Sequence, residues 1–160
     1  MTRKTTENIK INDLEIPKEL QNRRRILIAV DNSKHSAKAL LFAKEQILRK
    51  EDFVMLLTAT KKLIAPYLIT FEAIKPIEDD ELNKETFALY NQLEQIENEK
   101  MGFLVQGDDN RETLIEAIEE LEPEMVIAGS HGKGTVKRML LGSTSEYLLH
   151  HSKIPVTIVR

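Results

Sequence analysis

The chain has 160 residues, with 23 basic against 26 acidic side chains and a formal net charge of -3 at pH 7. This length suits one domain around one core, and the slight acidic excess argues against a general nucleic-acid binder. The absence of cysteine excludes disulfides, thiolate catalysis and Cys-based zinc sites. No run approaches the roughly 18 apolar residues of a membrane span, and the N-terminus lacks the apolar core of a signal peptide. A cytoplasmic protein without membrane contact is therefore expected.

The first segment, residues 1–23, is polar and weakly patterned, and Pro17 interrupts its scattered apolar residues. It is predicted to lie outside a single domain that spans residues 24–160. Two interpretations stay open for it. It is either a mobile tail or an arm that docks on the domain or on a partner subunit.

The next segment reads as a strand, a helix and a strand. ILIAV (26–30) is a continuous apolar run, typical of a strand buried on both faces. Asp31, Asn32 and Ser33 each suit a helix start, and apolar residues then recur at helical spacing up to Ile47. A second apolar run follows at 53–59. This order predicts parallel strands joined by a right-handed crossover.

The remaining elements continue this alternation. Residues 60–76 contain two prolines and are predicted to form a loop. The other predicted elements are a helix over 78–100, a strand over 102–106, a helix ending at Pro123, a strand over 125–128, a helix over 143–150 and a last strand that Pro155 begins. Five strands alternating with four helices predict a three-layer α/β domain around a parallel sheet.

The stretch GSHGKGTVKRMLLGS (129–143) holds four of the six glycines. Gly129, where a strand leaves the sheet, is expected to allow positive φ or close approach of a ligand. Gly132 and Gly134 would let amide N–H groups converge on an anion. Ser143 as N-cap, with Glu146 three residues on, predicts a capping box, and the first turn of that helix adds positive potential.

The spacing of these residues excludes two well-known phosphate loops. Thr135 stands where a Walker A loop needs lysine, and Lys137 stands where a dinucleotide fingerprint needs glycine. The pattern G-x2-G-x9-G-[ST], met by Gly129, Gly132, Gly142 and Ser143, instead resembles the nucleotide-binding signature of the universal stress protein family. The resemblance extends over ILIAVDNSKHSAKAL and LLGSTSEYLLHHSKIPVTIV, and covers the chain from about Arg25 to Arg160.

The resemblance implies a five-stranded parallel sheet in the order 3-2-1-4-5, an adenine-nucleotide α-hydrolase-like, Rossmann-like fold. It places the first and fourth strands side by side, where ligands of such sheets bind. The implied function is a stress-response regulatory module that binds ATP or ADP with slow or no hydrolysis, at most a weak ATPase. The alternative is a nucleotide-free dimeric scaffold that acts through protein contacts.

The resemblance also implies roles for individual residues. Asp31 is expected to accept from the ribose rather than only to cap the first helix. The backbone at Ala59 would read the adenine edge, and Ala29 and Val30 would line its pocket. The ribose and phosphate contacts fall to Gly129, Ser130, His131, Gly132, Gly142, Ser143 and Thr144.

Neither a catalytic residue nor a protein-bound metal is predicted at this site. For His131, packing or backbone bonding is favoured over acid–base catalysis. Mg²⁺, where present, would be held by the phosphate oxygens and water.

The last predicted strand, Pro155–Val159, lies at a sheet edge in the implied order. It has no charged residue between Lys153 and Arg160, and an exposed apolar edge favours pairing with another chain. The resemblance points to the same edge, so a homodimer through this strand is expected. The alternative is an edge covered by the N-terminal segment of the same chain.

Overall fold

The structure is a computed structural model that describes residues 16–60, 67–69, 80–131 and 140–160. The strands are β1 (Arg25–Ala29), β2 (Phe53–Thr60), β3 (Tyr67–Ile69), β4 (Lys100–Gln106), β5 (Met125–Gly129) and β6 (Val156–Val159). The helices are α1 (Lys34–Phe42), α2 (Asp80–Leu93), α3 (Asn110–Leu121) and α4 (Ser143–His151). A π-helical turn, Ala43–Ile47, extends α1.

The strands form one sheet in the order β3-β4-β2-β1-β5-β6. Strands β4, β2, β1, β5 and β6 are parallel, which confirms the predicted order 3-2-1-4-5. Strand β1 lies at the centre, where Ile28 pairs with Leu56 of β2 and with Ile127 of β5. The chain builds outward on the β2 side first and then crosses to the β5 side. The point of reversal therefore lies between β1 and β5.

The short strand β3 was not predicted. Tyr67–Ile69 pairs antiparallel with β4, Leu68 opposite Phe103, within the stretch that was assigned to a loop. Three residues between proline-containing segments give no periodic signal, and strand formation here depends on the open edge of β4. The addition widens the sheet without altering the order of its parallel strands.

Two apolar layers enclose the sheet. Leu40 of α1 and Leu93 of α2 pack with Ile28 on one face. Leu114 of α3 and Leu148 of α4 pack with Leu27 on the other face. Every residue of β1 from Ile26 to Ile28 is fully buried, which explains why this strand reads as an uninterrupted apolar run.

Two helix bounds differ from the predictions. Helix α2 ends at Leu93, whereas a helix to residue 100 was predicted, because a tight turn follows in which the amide of Ile96 donates to the carbonyl of Leu93 at 3.0 Å. Ile96 is still buried. The helical spacing of apolar residues therefore continues past the end of the helix, which is why a longer helix was predicted. Helix α4 has Gly142 as its N-cap, and Ser143 is its first helical residue. The predicted capping box is therefore wrong, since glycine has no capping side chain.

The segment before β1 is partly packed. Residues Lys18–Leu20 form a helical turn, and Leu20 belongs to the core beneath α3 and α4, with Ile16 against it. The rest of the predicted tail, residues 1–15, lies outside the described residues. Over the part of the chain that the structure describes, no helix combines the length and apolarity that a bilayer crossing requires.

Candidate functional site

A cleft opens at the carboxyl ends of β1 and β5, where the strand order reverses. It contains ≈ 550 Å³ of empty space, including space open to solvent. Asp31 follows β1, Ala59 lies near the end of β2, and Gly129 ends β5. The lining residues are Ala29, Val30, Asp31, Ser36, Leu57, Ala59, Asn110, Leu114, Ala128, Gly129, His131, Thr144, Ser145 and Leu148. This is the position at which parallel α/β sheets bind ligands.

Three hydrogen bonds fasten the end of β5 to its neighbours. The Ser145 hydroxyl donates to the Gly129 carbonyl at 2.7 Å. The Gly142 amide donates to the Ser130 carbonyl at 2.7 Å, and the Ser130 amide donates to the Val159 carbonyl at 2.7 Å. The wall of the cleft at Gly129 is thus held by both α4 and β6.

Gly129 is required for a reason that was not predicted from the sequence. Its backbone does not adopt the expected positive φ, whereas close approach of a ligand stays a prediction. A Cβ at this position would lie 2.6 Å from both the carbonyl carbon and the carbonyl oxygen of His35. Glycine therefore lets the first turn of α1 pass directly over the end of β5.

Asp31 organises the turn between β1 and α1. Its Oδ1 accepts from the Ser33 amide at 2.9 Å, and its own amide donates to the Ser36 hydroxyl at 3.0 Å. The N-cap of α1 is Ser33, whose hydroxyl accepts from the Ser36 amide at 3.1 Å. Capping of α1, the alternative role considered for Asp31, thus belongs to Ser33. The Asp31 carbonyl also accepts from the Gln92 side chain of α2 at 3.1 Å.

Two histidines meet at the buried hydroxyl of Ser130. Its Oγ lies 3.0 Å from His131 Nδ1 and 3.3 Å from His35 Nδ1, and the two rings are 4.9 Å apart between centroids. Because a hydroxyl donates one hydrogen, it donates to one ring nitrogen and accepts from the other. His131 thus contacts a side-chain hydroxyl and packs beside the His35 ring; packing or backbone bonding in place of acid–base catalysis stays a prediction for it.

The starts of three helices converge on the cleft. Ser36 lies in the first turn of α1, Asn110 begins α3, and Thr144 and Ser145 lie in the first turn of α4. Unpaired amides and the helix dipole make such termini favourable for anions. Asn110 adds a buried oxygen, Oδ1, that has no hydrogen-bond partner among the described residues. The apolar walls suit an apolar part of a ligand, the Asp31 carboxylate and the Asn110 oxygen suit hydrogen-bond donors, and the helix starts suit an anionic group.

The structure brings most of the predicted site residues together. Those that line the cleft are Ala29, Val30, Asp31, Ala59, Gly129, His131 and Thr144. Ser130, Gly142 and Ser143 are not among the lining residues; the first two support the wall, and Ser143 is exposed at the start of α4. Gly132 lies outside the described residues.

The sequence analysis missed half of the lining. These residues are Ser36, Leu57, Asn110, Leu114, Ala128, Ser145 and Leu148. The apolar ones were recognised only as parts of a strand or a helix. Ser36 and Ser145 carried a signal, since each lies in the first turn of a helix that follows a strand bordering the reversal point. Asn110 carried none.

Comparison with known proteins gives a consistent result. The family model described as "Universal stress protein family" matches residues 22–160. The chain is 31% identical to universal stress protein PHOS32 of Arabidopsis thaliana over 86% of its length, and it spans 65% of that relative.

Solved structures share the fold. The structure of MJ0577, from Methanocaldococcus jannaschii, superposes with a TM-score of 0.62 and 24% identity, over 85% of this chain and 94% of that one. The Arabidopsis thaliana protein At3g01520, solved with AMP bound, gives a TM-score of 0.54 and 16% identity over 84% and 90% of the two chains.

Proposed function

This chain belongs to the universal stress protein family, and from that premise we propose that it binds ATP or ADP in the cleft between β1 and β5. The observation that carries the proposal is the convergence of Asp31 and Thr144, distant in sequence, on one cleft where three helices start. A relative of this fold was solved with AMP. The nucleotide fits the cleft because the cleft combines apolar walls, a carboxylate and helix amides.

The proposed pose runs from β2 to α4. The base lies against the apolar walls near Ala59, whose backbone reads its edge. The Asp31 carboxylate accepts from the ribose. The phosphates lie toward Gly129 and the start of α4, where Thr144 lines the cleft, and contacts with Gly132, Gly142 and Ser143 stay predictions. The first-turn amides of α4 suit anionic phosphate oxygens. Mg²⁺ would be held by phosphate oxygens and water.

We propose a regulatory role with slow or no hydrolysis, in the cytoplasm. The ionisable side chains among the described cleft residues are Asp31 and His131. Asp31 Oδ1 accepts from the Ser33 amide and His131 Nδ1 bonds with Ser130. Both groups thus make hydrogen bonds within the protein. Neither is positioned as the general base that rapid attack by water on a phosphate would need.

Substitutions of Asp31 test the ribose contact. Asp31→Ala is expected to weaken ATP binding by about 1–3 kcal/mol, because it removes a charge-assisted acceptor. Asp31→Asn keeps an oxygen for the Ser33 amide and removes only the charge, so an intermediate loss is expected. Calorimetric titration measures both. The matched control is Asp108→Asn, at an exposed position.

An Asp31→Ala variant that binds ATP as tightly as the unaltered chain would leave Asp31 only its role in the turn. A chain that binds neither ATP nor ADP would favour the alternative, a nucleotide-free scaffold acting through protein contacts. That alternative draws support from the edge strand β6.

We also propose that the chain forms a homodimer through Pro155–Val159. Among the described strands β6 pairs only with β5, and its residues are half-buried. The carbonyls of Pro155 and Val159 accept from amides on the β5 side, at 2.9 and 2.7 Å. Since backbone groups alternate in direction along a strand, Val156 and Ile158 present theirs to the open edge. An apolar edge of this kind favours pairing with a second copy.

This geometry identifies the substitution that tests the dimer. Ile158→Pro removes an outward amide and leaves the ladder to β5 intact, whereas Ile158→Ala removes the same side chain and keeps the amide. Light scattering should give twice 18.4 kDa for the unaltered chain and the alanine variant, and a monomer for the proline variant. A folded proline variant that stays dimeric, or an unaltered chain that is monomeric, would contradict this interface.

A further inference from the structure

Among the described residues, Asn110 adds a polar side chain to a part of the cleft that is lined by apolar ones. Helix α3 packs on β2, β4 and α4, and Asn110 lines the cleft together with Leu57, Ala59 and Leu114. Gly129, His131, Thr144 and Ser145 line the cleft at β5 and α4. Asn110 lines it beside the apolar wall near Ala59, against which the base is proposed to lie.

The Oδ1 atom of Asn110 is buried, with less than 1 Å² exposed, and has no hydrogen-bond partner among the described residues. A buried acceptor without a partner is destabilising because it has lost its hydrogen bonds to water, so native structures seldom keep one without a water or a ligand to satisfy it. Its presence in the wall of a cleft indicates that a donor from outside the protein completes the site.

The backbone around Asn110 is rigid. Asp109 caps α3 by accepting from the Arg111 amide at 2.8 Å, and its carboxylate pairs with the Arg111 guanidinium at 2.6 Å. This hydrogen-bonded pair holds the pKa of Asp109 well below its usual range. The guanidinium also lies 5.3 Å from the centre of the Tyr147 ring, which ties the start of α3 to α4. The residues on either side of Asn110 are thus fixed, and Asn110 lines the cleft from this fixed helix start.

We propose that Asn110 determines base specificity by accepting, through Oδ1, a hydrogen bond from the exocyclic 6-amino group of the adenine. This rests on the proposed nucleotide binding and adds a side chain to the backbone readout at Ala59. An amino group has two N–H donors, so both contacts can form at once. A base with a carbonyl at this position would set two acceptors against each other, which is a strong basis for rejection.

The test compares ATP with purine riboside triphosphate, which lacks the 6-amino group and is otherwise the same. Calorimetric titrations of the full chain give the ratio of the two affinities. Asn110→Leu removes both polar atoms with little change in volume, and Asn110→Ala is a second removal variant. Asn110→Asp keeps an oxygen acceptor. Asn91→Leu, at an exposed position of α2, is the matched control, and circular dichroism confirms folding.

The unaltered chain should prefer ATP, and this preference should fall about tenfold in Asn110→Leu and Asn110→Ala. Asn110→Asp and Asn91→Leu should keep it. A preference that is unchanged in both removal variants overturns the role of Asn110 and leaves the proposed function standing. Preference of the unaltered chain for purine riboside triphosphate overturns it as well. Failure of the unaltered chain to bind ATP overturns both the proposed function and this inference.

Discussion

Replacing Arg24 by leucine should lower the free energy of unfolding by about 3 kcal/mol, because it leaves a buried carboxylate without its cation. Arg24 Nε donates to Asp52 Oδ1 at 2.8 Å, and its Nη2 donates to the Ile47 carbonyl at 2.9 Å. The Asp52 side chain is only 3% exposed. The Arg49 amide also donates to Asp52 Oδ2, at 2.7 Å. This hydrogen bond is retained in the variant and limits the loss of stability. The pair joins the start of β1 to the turn before β2.

The effect of Arg24→Leu should depend on pH. Burial raises the pKa of Asp52, but the hydrogen bonds from Arg24 and from the Arg49 amide outweigh it, so the pKa of Asp52 is lowered on folding. A lowered pKa contributes stability above the unfolded-state value of about 3.9, and this contribution is lost as the pH falls through the folded-state pKa. The difference between the variant and the unaltered chain should therefore be largest near pH 7 and shrink in acid.

Urea denaturation at pH 7 and near pH 3 measures this difference. The double variant Arg24→Leu/Asp52→Leu should recover part of the loss, since removing both partners leaves no unpaired charge. Lys50→Leu, an exposed cation in the same turn, is the control. An Arg24→Leu variant within about 0.5 kcal/mol of the unaltered chain, the usual range for surface changes, would show that the pair contributes little.

The second large effect is expected at Gly129. Gly129→Ala places a Cβ 2.6 Å from backbone atoms of His35, so the first turn of α1 must move off the end of β5. Overpacking of this kind costs about 1–3 kcal/mol. Because Asp31, in the turn before α1, and Ser36, in its first turn, line the cleft, ATP affinity should fall as well, by about tenfold or 1.4 kcal/mol.

Gly102→Ala is the matched control for Gly129→Ala. Its Cβ would also lie 2.6 Å from a neighbour, but that neighbour is the Cδ1 of Leu93, the end of a flexible side chain. Leu93 can adopt another rotamer, so the stability cost should be smaller, and ATP affinity should be unchanged because Gly102 lies away from the cleft. Equal losses of stability and affinity in the two variants would refute the role given to the α1–β5 contact.

The sequence predicts the sheet well because burial on both faces determines the apolar pattern of its strands. Runs such as 26–30 are apolar throughout, as expected of strands covered on both faces, and the glycine spacing of 129–143 identified the family and with it the strand order. Strand β3 escaped prediction because three residues carry no period and their pairing depends on the edge of β4. Helix α2 was predicted too long because the tight turn after Leu93 buries Ile96, as a further helical turn would have done.

The cleft was predictable only in part. Asp31 and Gly129 follow apolar runs, so they were expected at strand ends, but the reason for Gly129, a neighbouring backbone, is a tertiary fact that no local pattern contains. Asn110 shows the same limit. In sequence it is an ordinary helix-start residue between Asp109 and Arg111, and only the folded structure reveals that it lines the cleft and that its oxygen is buried without a partner.

The central claim is that this chain binds an adenine nucleotide between β1 and β5. Its most direct test is a calorimetric titration of the full, unaltered chain with ATP, after denaturation and mass spectrometry of a second sample have identified any nucleotide that was purified with it. We expect one ATP bound per chain, or a bound adenine nucleotide released on denaturation. A folded chain that releases no nucleotide and gives no binding heat with ATP or ADP at millimolar concentration would contradict it.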